Sequence, residues 1–199
     1  MSATNAPFGL RPAFHPSGLD RAQALAGGIT SGYATQILKG QPVAYSASAG
    51  VIVPLTTAPA SGSAVAWSGA FAGVQWTDTT GRARVSNYWP ANTAYTAGSC
   101  VAYFYNDNNI VYEIQADGAM AQTTIGGEYN FTNTTAGSST TGLSQCTLGA
   151  STAASNGVQG QMRVVDVGQG VDNAWGDAYT VVRVVNAQSQ FFGAFTAIA

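Results

Sequence analysis

Apolar and polar residues in this chain change places in short runs, and the runs are broken every few residues by Gly, Pro, Asn or Asp. That rhythm predicts strands joined by turns rather than helices, whose apolar stripe would recur every three to four residues. Ala34 to Leu38 precedes the turn Lys39-Gly40-Gln41-Pro42, Val43 to Tyr45 precedes Ser46 to Gly50, and Val51 to Val53 precedes Pro54. Ala64 to Ser68, Phe71 to Thr77 and Arg82 to Tyr88 continue the series, the last two joined by a hairpin turn at Asp78-Thr79-Thr80-Gly81. Val101 to Tyr105 and Ile110 to Gln115 read as the clearest hairpin, across Asn106-Asp107-Asn108-Asn109, with Ile110, Tyr112 and Ile114 alternating against Val111, Glu113 and Gln115. Gln161 to Val167 and Tyr179 to Asn186 form another long pair, in which Val164-Val165 and Val181-Val182 read as buried on both faces. The fold class expected is all-β, an antiparallel β-sandwich or small barrel with an extended N-terminal arm.

Two stretches depart from the rhythm. Residues 1–30 contain Pro7, Pro12 and Pro16 with four glycines, which favours extended backbone over a compact element, although a short helix fits Leu19 to Ala26. Phe8, Leu10, Phe14 and Leu19 are too apolar for a solvated tail. Such an arm folds back on its own domain or crosses to a neighbouring subunit, and the crossing is the expectation here. Residues 31–199 then make a single β domain. Phe131 to Gly160 is nearly all Thr, Ser, Gly, Ala, Asn and Gln and reads as an insertion, in which Leu143, Cys146 and Leu148 permit one strand.

Composition narrows the function. Charged residues are 8% of the chain, where about 25% is usual, while hydrophobic residues are an ordinary 46%. A surface of neutral polar groups is covered by a partner at low cost, because few full charges lose their water. Seven Lys and Arg are spread along the chain against nine Asp and Glu, so nucleic acid, which selects clustered cations, is not expected as a partner. Two distant cysteines, Cys100 and Cys146, build neither a disulfide framework nor a zinc site. No signal peptide and no apolar run of membrane-spanning length is expected, which places synthesis in the cytoplasm and excludes a membrane partner.

Chemistry finds few footholds. The single histidine, His15, lies in the arm, where the sequence shows nothing to hold it, so a Ser-His-Asp hydrolase is not expected. Asp107 with its neighbouring asparagines reads as a tight turn, since the glycine and distant glutamate of a calcium loop are missing. Glu113 and Asp117 are the pair a glycosidase would use, with Trp67, Trp76, Trp89 or Trp175 as a sugar platform, a minor alternative. The expectation is a protein that is not an enzyme, with no catalytic, cofactor-binding or metal-binding residues.

A further clue is the single lysine. Sheet edges are normally guarded by lysine and other charges, so the edges here close on themselves or are covered in an assembly. Asn5-Ala6-Pro7-Phe8-Gly9-Leu10-Arg11-Pro12 resembles the opening of a group of tailed-phage virion proteins. Phe71 to Val74, Arg84 to Pro90, Val111 to Gly118 and Asp172 to Asp177 resemble successive later blocks of the same proteins. Lys39 to Val43, with Gly50-Val51 and Gly73-Val74, is similar to the turn-and-strand rhythm of small phage decoration barrels. The resemblance implies a capsid decoration (cement) protein on the outer surface of the virion, a homotrimer bound where major capsid subunits meet. Pro7, Phe8, Leu10, Arg11, Pro12 and Phe14 are the interface residues expected in the arm. A tail tube, head-tail joining or minor capsid protein is the alternative within the same class.

Overall fold

A computed structural model describes residues 4–18, 22–46, 49–55, 66–154 and 158–191. One antiparallel sheet runs in the order β1 (Arg11–Phe14), β8 (Val111–Gln115), β14 (Val181–Asn186), β13 (Met162–Val167), β9 (Glu128–Thr132) and β12 (Thr147–Ala153). A second runs β2 (Gln23–Ala26), β7 (Val101–Tyr105), β5 (Gly69–Thr77), β3 (Pro42–Tyr45) and β4 (Ile52–Pro54), with β6 (Ala83–Ser86) also paired to β5. A two-stranded hairpin, β10 (Gly137–Ser138) and β11 (Leu143–Ser144), stands apart, and the described residues contain one 3₁₀ turn, Gln122–Thr124.

Alternation along the strands of the first sheet sends Tyr112, Ile114, Val164, Val182 and Val184 into one core with Phe131 and Leu148. Trp67, Ala70 and Ala44 reach the same core from the region of the second sheet, which makes the two sheets a sandwich. The first sheet also curls. Ala116, just past β8, bridges Leu148 on β12, and the Asp117 amide donates to the Leu148 carbonyl at 2.9 Å, so β12 comes round to the end of β8, one strand in from the β1 edge. Large apolar side chains buried this completely stabilise the fold by roughly 1.5–3 kcal/mol each.

The second sheet buries both faces. Ala70 on β5 belongs to the first core, and Phe71 beside it to a second core with Val74, Trp76, Ala102 and Phe104. A bulge between Phe71 and Gly73 makes this work, because one extra residue lets Phe71 and Val74 face the same side three positions apart. Loops rather than a third sheet cover this core, through Ile29, Ile37 and Trp89, with the Trp89 ring packed edgewise 5.4 Å from Trp76.

The all-β antiparallel architecture, the β5–β6 hairpin through Asp78 to Gly81, and the β13–β14 pair agree with the sequence reading. Four points differ. Val101–Tyr105 and Val111–Gln115 are not a hairpin: β7 pairs with β5 and β2, β8 with β14 and β1, and Asn106 to Asn109 carries the chain between sheets. Val164 and Val182 are buried, but Val165 is 37% exposed, bulged out between Val164 and Asp166, so these strands are covered on one side more than the other. Gln23–Ala26 is a strand rather than a helix, paired with β7, while Leu19, Asp20 and Arg21 lie outside the described residues, as do Ala64 and Val65. Trp67, Trp76 and Trp89 are core residues and offer no open face to a sugar, while Trp175 is half-buried against the core.

Within Phe131 to Gly160, the end of β9 and the whole of β12 belong to the first sheet. Phe131, Cys146 and Leu148 are buried there, whereas Leu143 is 41% exposed. Hydroxyl groups take the place of apolar contacts: Thr132 Oγ1 and Thr147 Oγ1 lie 2.8 Å apart, and Thr152 Oγ1 donates to the Asn130 carbonyl.

Candidate functional site

The arm lies along its own domain. Gln115, at the end of β8, accepts from the Ala6 amide at 2.9 Å and donates to the Thr4 carbonyl at 3.0 Å, a pair of bonds that fixes the incoming backbone. The arm then crosses the Lys39-Gly40 turn at almost no distance. The Leu10 amide donates to the Gly40 carbonyl at 2.8 Å, and both Gly9 (φ 72°) and Gly40 (φ 78°) are in the left-handed region. A Cβ on Gly9 would sit 2.7 Å from the Gly40 oxygen, and one on Gly40 2.9 Å from the Leu10 oxygen, so the crossing demands glycine on both chains.

Beyond the crossing the six arm residues singled out from the sequence take different places. Leu10 drops into the first core, 3% exposed. Pro7, Phe8 and Pro12 are half-buried, and Arg11 and Phe14 are exposed. Arg11 lies opposite Glu113 and Pro12 opposite Tyr112, on an edge strand where the missing N–H of proline costs least. A register shift between Pro12 and Phe14 follows, and the Phe14 ring stays 46% exposed.

Charge and aromatic rings alternate along this edge. Arg11 Nη2 donates to Glu113 Oε2 at 2.5 Å while its guanidinium stands 4.7 Å from the centre of the Phe8 ring. Arg183 Nε reaches the other Glu113 oxygen at 3.4 Å, with its guanidinium 5.8 Å from the centre of the Phe14 ring. Beside the arm opens a cleft of about 450 Å³, walled by Phe8, Leu10, Arg11, Lys39, Tyr105 and Leu143. Lys39, Tyr105 and Leu143 were not among the interface residues expected from the sequence. Only the fold brings the Lys39 turn, the end of β7 and the β11 strand to the arm, so no local signal marked them.

His15 is held, contrary to the sequence reading. Its Nε2 lies 3.0 Å from Asp107 Oδ2, and its Nδ1 accepts from the Ser17 amide at 3.0 Å with Ser17 Oγ at 2.6 Å. The connectivity is that of a serine, a histidine and an aspartate in line, but the geometry is a capped turn. The imidazole nitrogen that would take a hydroxyl proton already accepts the backbone N–H of the same serine. The contact pins the end of β1 to the loop between β7 and β8.

The arrangement is thus suited to recognition: exposed rings, guanidinium groups with spare donors, and a cleft between an edge strand and a hairpin. Among the described residues no three His, Cys, Asp or Glu side chains lie close enough to share a metal ion. No helix there is long and apolar enough to cross a membrane. Comparison with protein-family models, curated proteins and solved structures returned no match.

Proposed function

We propose that this chain is a structural virion protein that decorates and stabilises a phage capsid at junctions between major capsid subunits. The observation that carries the reading is the β1 edge of the first sheet, where Phe8, Arg11 and Phe14 form a partly exposed surface, with Arg183 of β14 behind the Phe14 ring, in a chain otherwise poor in charge. The opening run Pro7 to Pro12, which resembles that of tailed-phage virion proteins, supplies the kind of partner. The protein acts as a homo-oligomer, a trimer by the same resemblance, on the outer surface of a particle whose parts are made in the host cytoplasm. Several weak contacts repeated over a lattice give occupancy that no single contact gives. The reading assigns no catalytic step, no cofactor, and neither nucleic acid nor membrane as partner.

Imaging the native particle tests it. Many copies at regular positions on the shell are expected, with occupancy reduced about tenfold or more by Arg11→Ala combined with Phe14→Ala, a loss typical of anchor residues. A few copies at one vertex, or a place in the tail, would move the protein to the joining or tail-tube class and overturn decoration.

A further inference from the structure

The contacts of the arm divide cleanly from the chain that follows it. Thr4 and Ala6 bond Gln115, Leu10 bonds Gly40, Arg11 pairs with Glu113, and His15 meets Asp107. Gly18 (φ 75°) comes next, with nothing within 4 Å of where a Cβ would stand, and β2 then joins the second sheet along β7. Residues 16–22 are therefore the covalent tie between arm and body. The groove on β8 meets the same groups whichever copy of the chain supplies them.

Two features set an arm on its own body apart from an arm on a second copy. β1 runs toward the loop Asn106 to Asn109 and β2 runs away from it, so an arm on its own body must reverse direction within residues 16–22. An arm on a second copy runs straight on. The eight steps from His15 to Gln23 reach at most roughly 25–30 Å, so that copy stands against this same loop. The surface there is apolar. The Phe14 ring is 46% exposed, and its ladder partner Val111 lines a cleft of about 310 Å³ with Pro16, Val185, Ala187, Asn108 and Asn109. A copy seated on the loop covers ring and cleft, whereas a closed arm leaves them in water.

We propose that the arms are exchanged: β1 of one copy lies on β8 of a second, the chain passes between them at Gly18, and the second copy sits over Phe14 and the Pro16 cleft. Exchange repeats the arm contacts of the closed form and adds this apolar cover, a low-cost route to an oligomer. A net charge of −2 sets little repulsion between copies. The proposal rests on the homo-oligomer of the reading above and names the contact that holds it together.

Two full-length chains of different mass, one with Arg11→Cys and one with Glu113→Cys, are produced together in one cell and oxidised. The two positions are opposite in the β1–β8 ladder, where Cα atoms stand about 4.5–5.5 Å apart, within disulfide reach. Cys100 and Cys146 are buried and stay out of the reaction. A disulfide joins unlike chains here only when an arm lies on another copy's β8. The mixed species is expected at about tenfold or more the yield from Arg11→Cys with Val85→Cys, an exposed site on β6 of the second sheet. A chain carrying both Arg11→Cys and Glu113→Cys should give linked oligomers. An internal disulfide in a monomer of that chain, a monomeric mass for the unmodified protein, or no disulfide in any combination would overturn the proposal. Particle imaging is read separately. Shells decorated by a protein with closed arms keep the capsid reading and lose the exchange, and exchanged arms on a protein absent from shells do the reverse.

Discussion

Leu10→Ala separates an arm that belongs to the fold from one merely attached to it. Leu10 is 3% exposed and joins the core of Trp67, Ile114 and Phe131, although it sits in a segment rich in proline and glycine. Truncating a leucine so buried costs about 2–5 kcal/mol, the upper end if the site cannot collapse. Collapse is hindered here, because the Leu10 amide is bonded to the Gly40 carbonyl and both flanking chains meet at glycines. For a chain of this size about 2–4 °C of melting temperature accompanies each kcal/mol, so the midpoint should fall by roughly 4–20 °C. Urea unfolding followed by tryptophan fluorescence should show a lower midpoint with the slope unchanged. Phe14→Ala, at a ring already 46% exposed, should cost less than about 1 kcal/mol in the same assay. A Leu10→Ala cost under about 0.5 kcal/mol would show that the arm does not help hold the core and would refute the reasoning.

Two further outcomes follow from single side chains. Asp78 Oδ1 accepts from the Thr80 hydroxyl at 2.6 Å and the Arg82 amide at 3.0 Å, and Oδ2 from Arg84 Nε at 3.0 Å. These bonds, the Thr80 hydroxyl foremost, hold its carboxyl well below the usual carboxylate range. The unfolded chain therefore takes up the proton first, so the stabilisation is complete above about pH 5 and is lost as pH falls through about 4 and below. Asp78→Asn should flatten that acid slope in urea midpoints measured from pH 2.5 to 6, and parallel curves would sink the assignment. Burial pushes the thiols of Cys100 and Cys146 up. Both should resist iodoacetamide at pH 8 in the native protein and react in denaturant, and rapid native labelling would contradict the burial.

Local patterns carried the strands and the turns, and little of what meets what. Asp78 to Gly81 was legible as a hairpin because the turn residues themselves make it, through the Asp78 carboxylate. Asn106 to Asn109 offered the same chemistry and does something else, since Asp107 caps Asn109 and holds His15 while its flanking strands pair elsewhere. Turn composition tells that the chain changes direction, not which sheet it enters. In the Thr-rich stretch only one strand was legible, around Leu143 to Leu148, where the structure has β11 and the start of β12; the rest of β12 was hidden because Thr147 and Thr152 satisfy their hydroxyls within the sheet, where sequence reading places such groups on a surface. Of the site, Phe8, Leu10 and Arg11 were legible from their apolar and cationic character, while Lys39 and Leu143 enter only through the Gly9–Gly40 crossing.

The pairing of β1 with β8 also sets an order of events during synthesis. Arg11 and Glu113 are 102 residues apart, and translation at about 5–20 residues per second separates their emergence by roughly 5–20 s. For that interval the arm has no β8 to join, and Leu10, Phe8 and Phe14 stay in water. Contacts so distant along the chain form late in folding, because loop closure must be met before they return any stabilisation. The segment made first is thus among the last to dock, and while it waits, the newly made β8 of a neighbouring copy offers it the same groove.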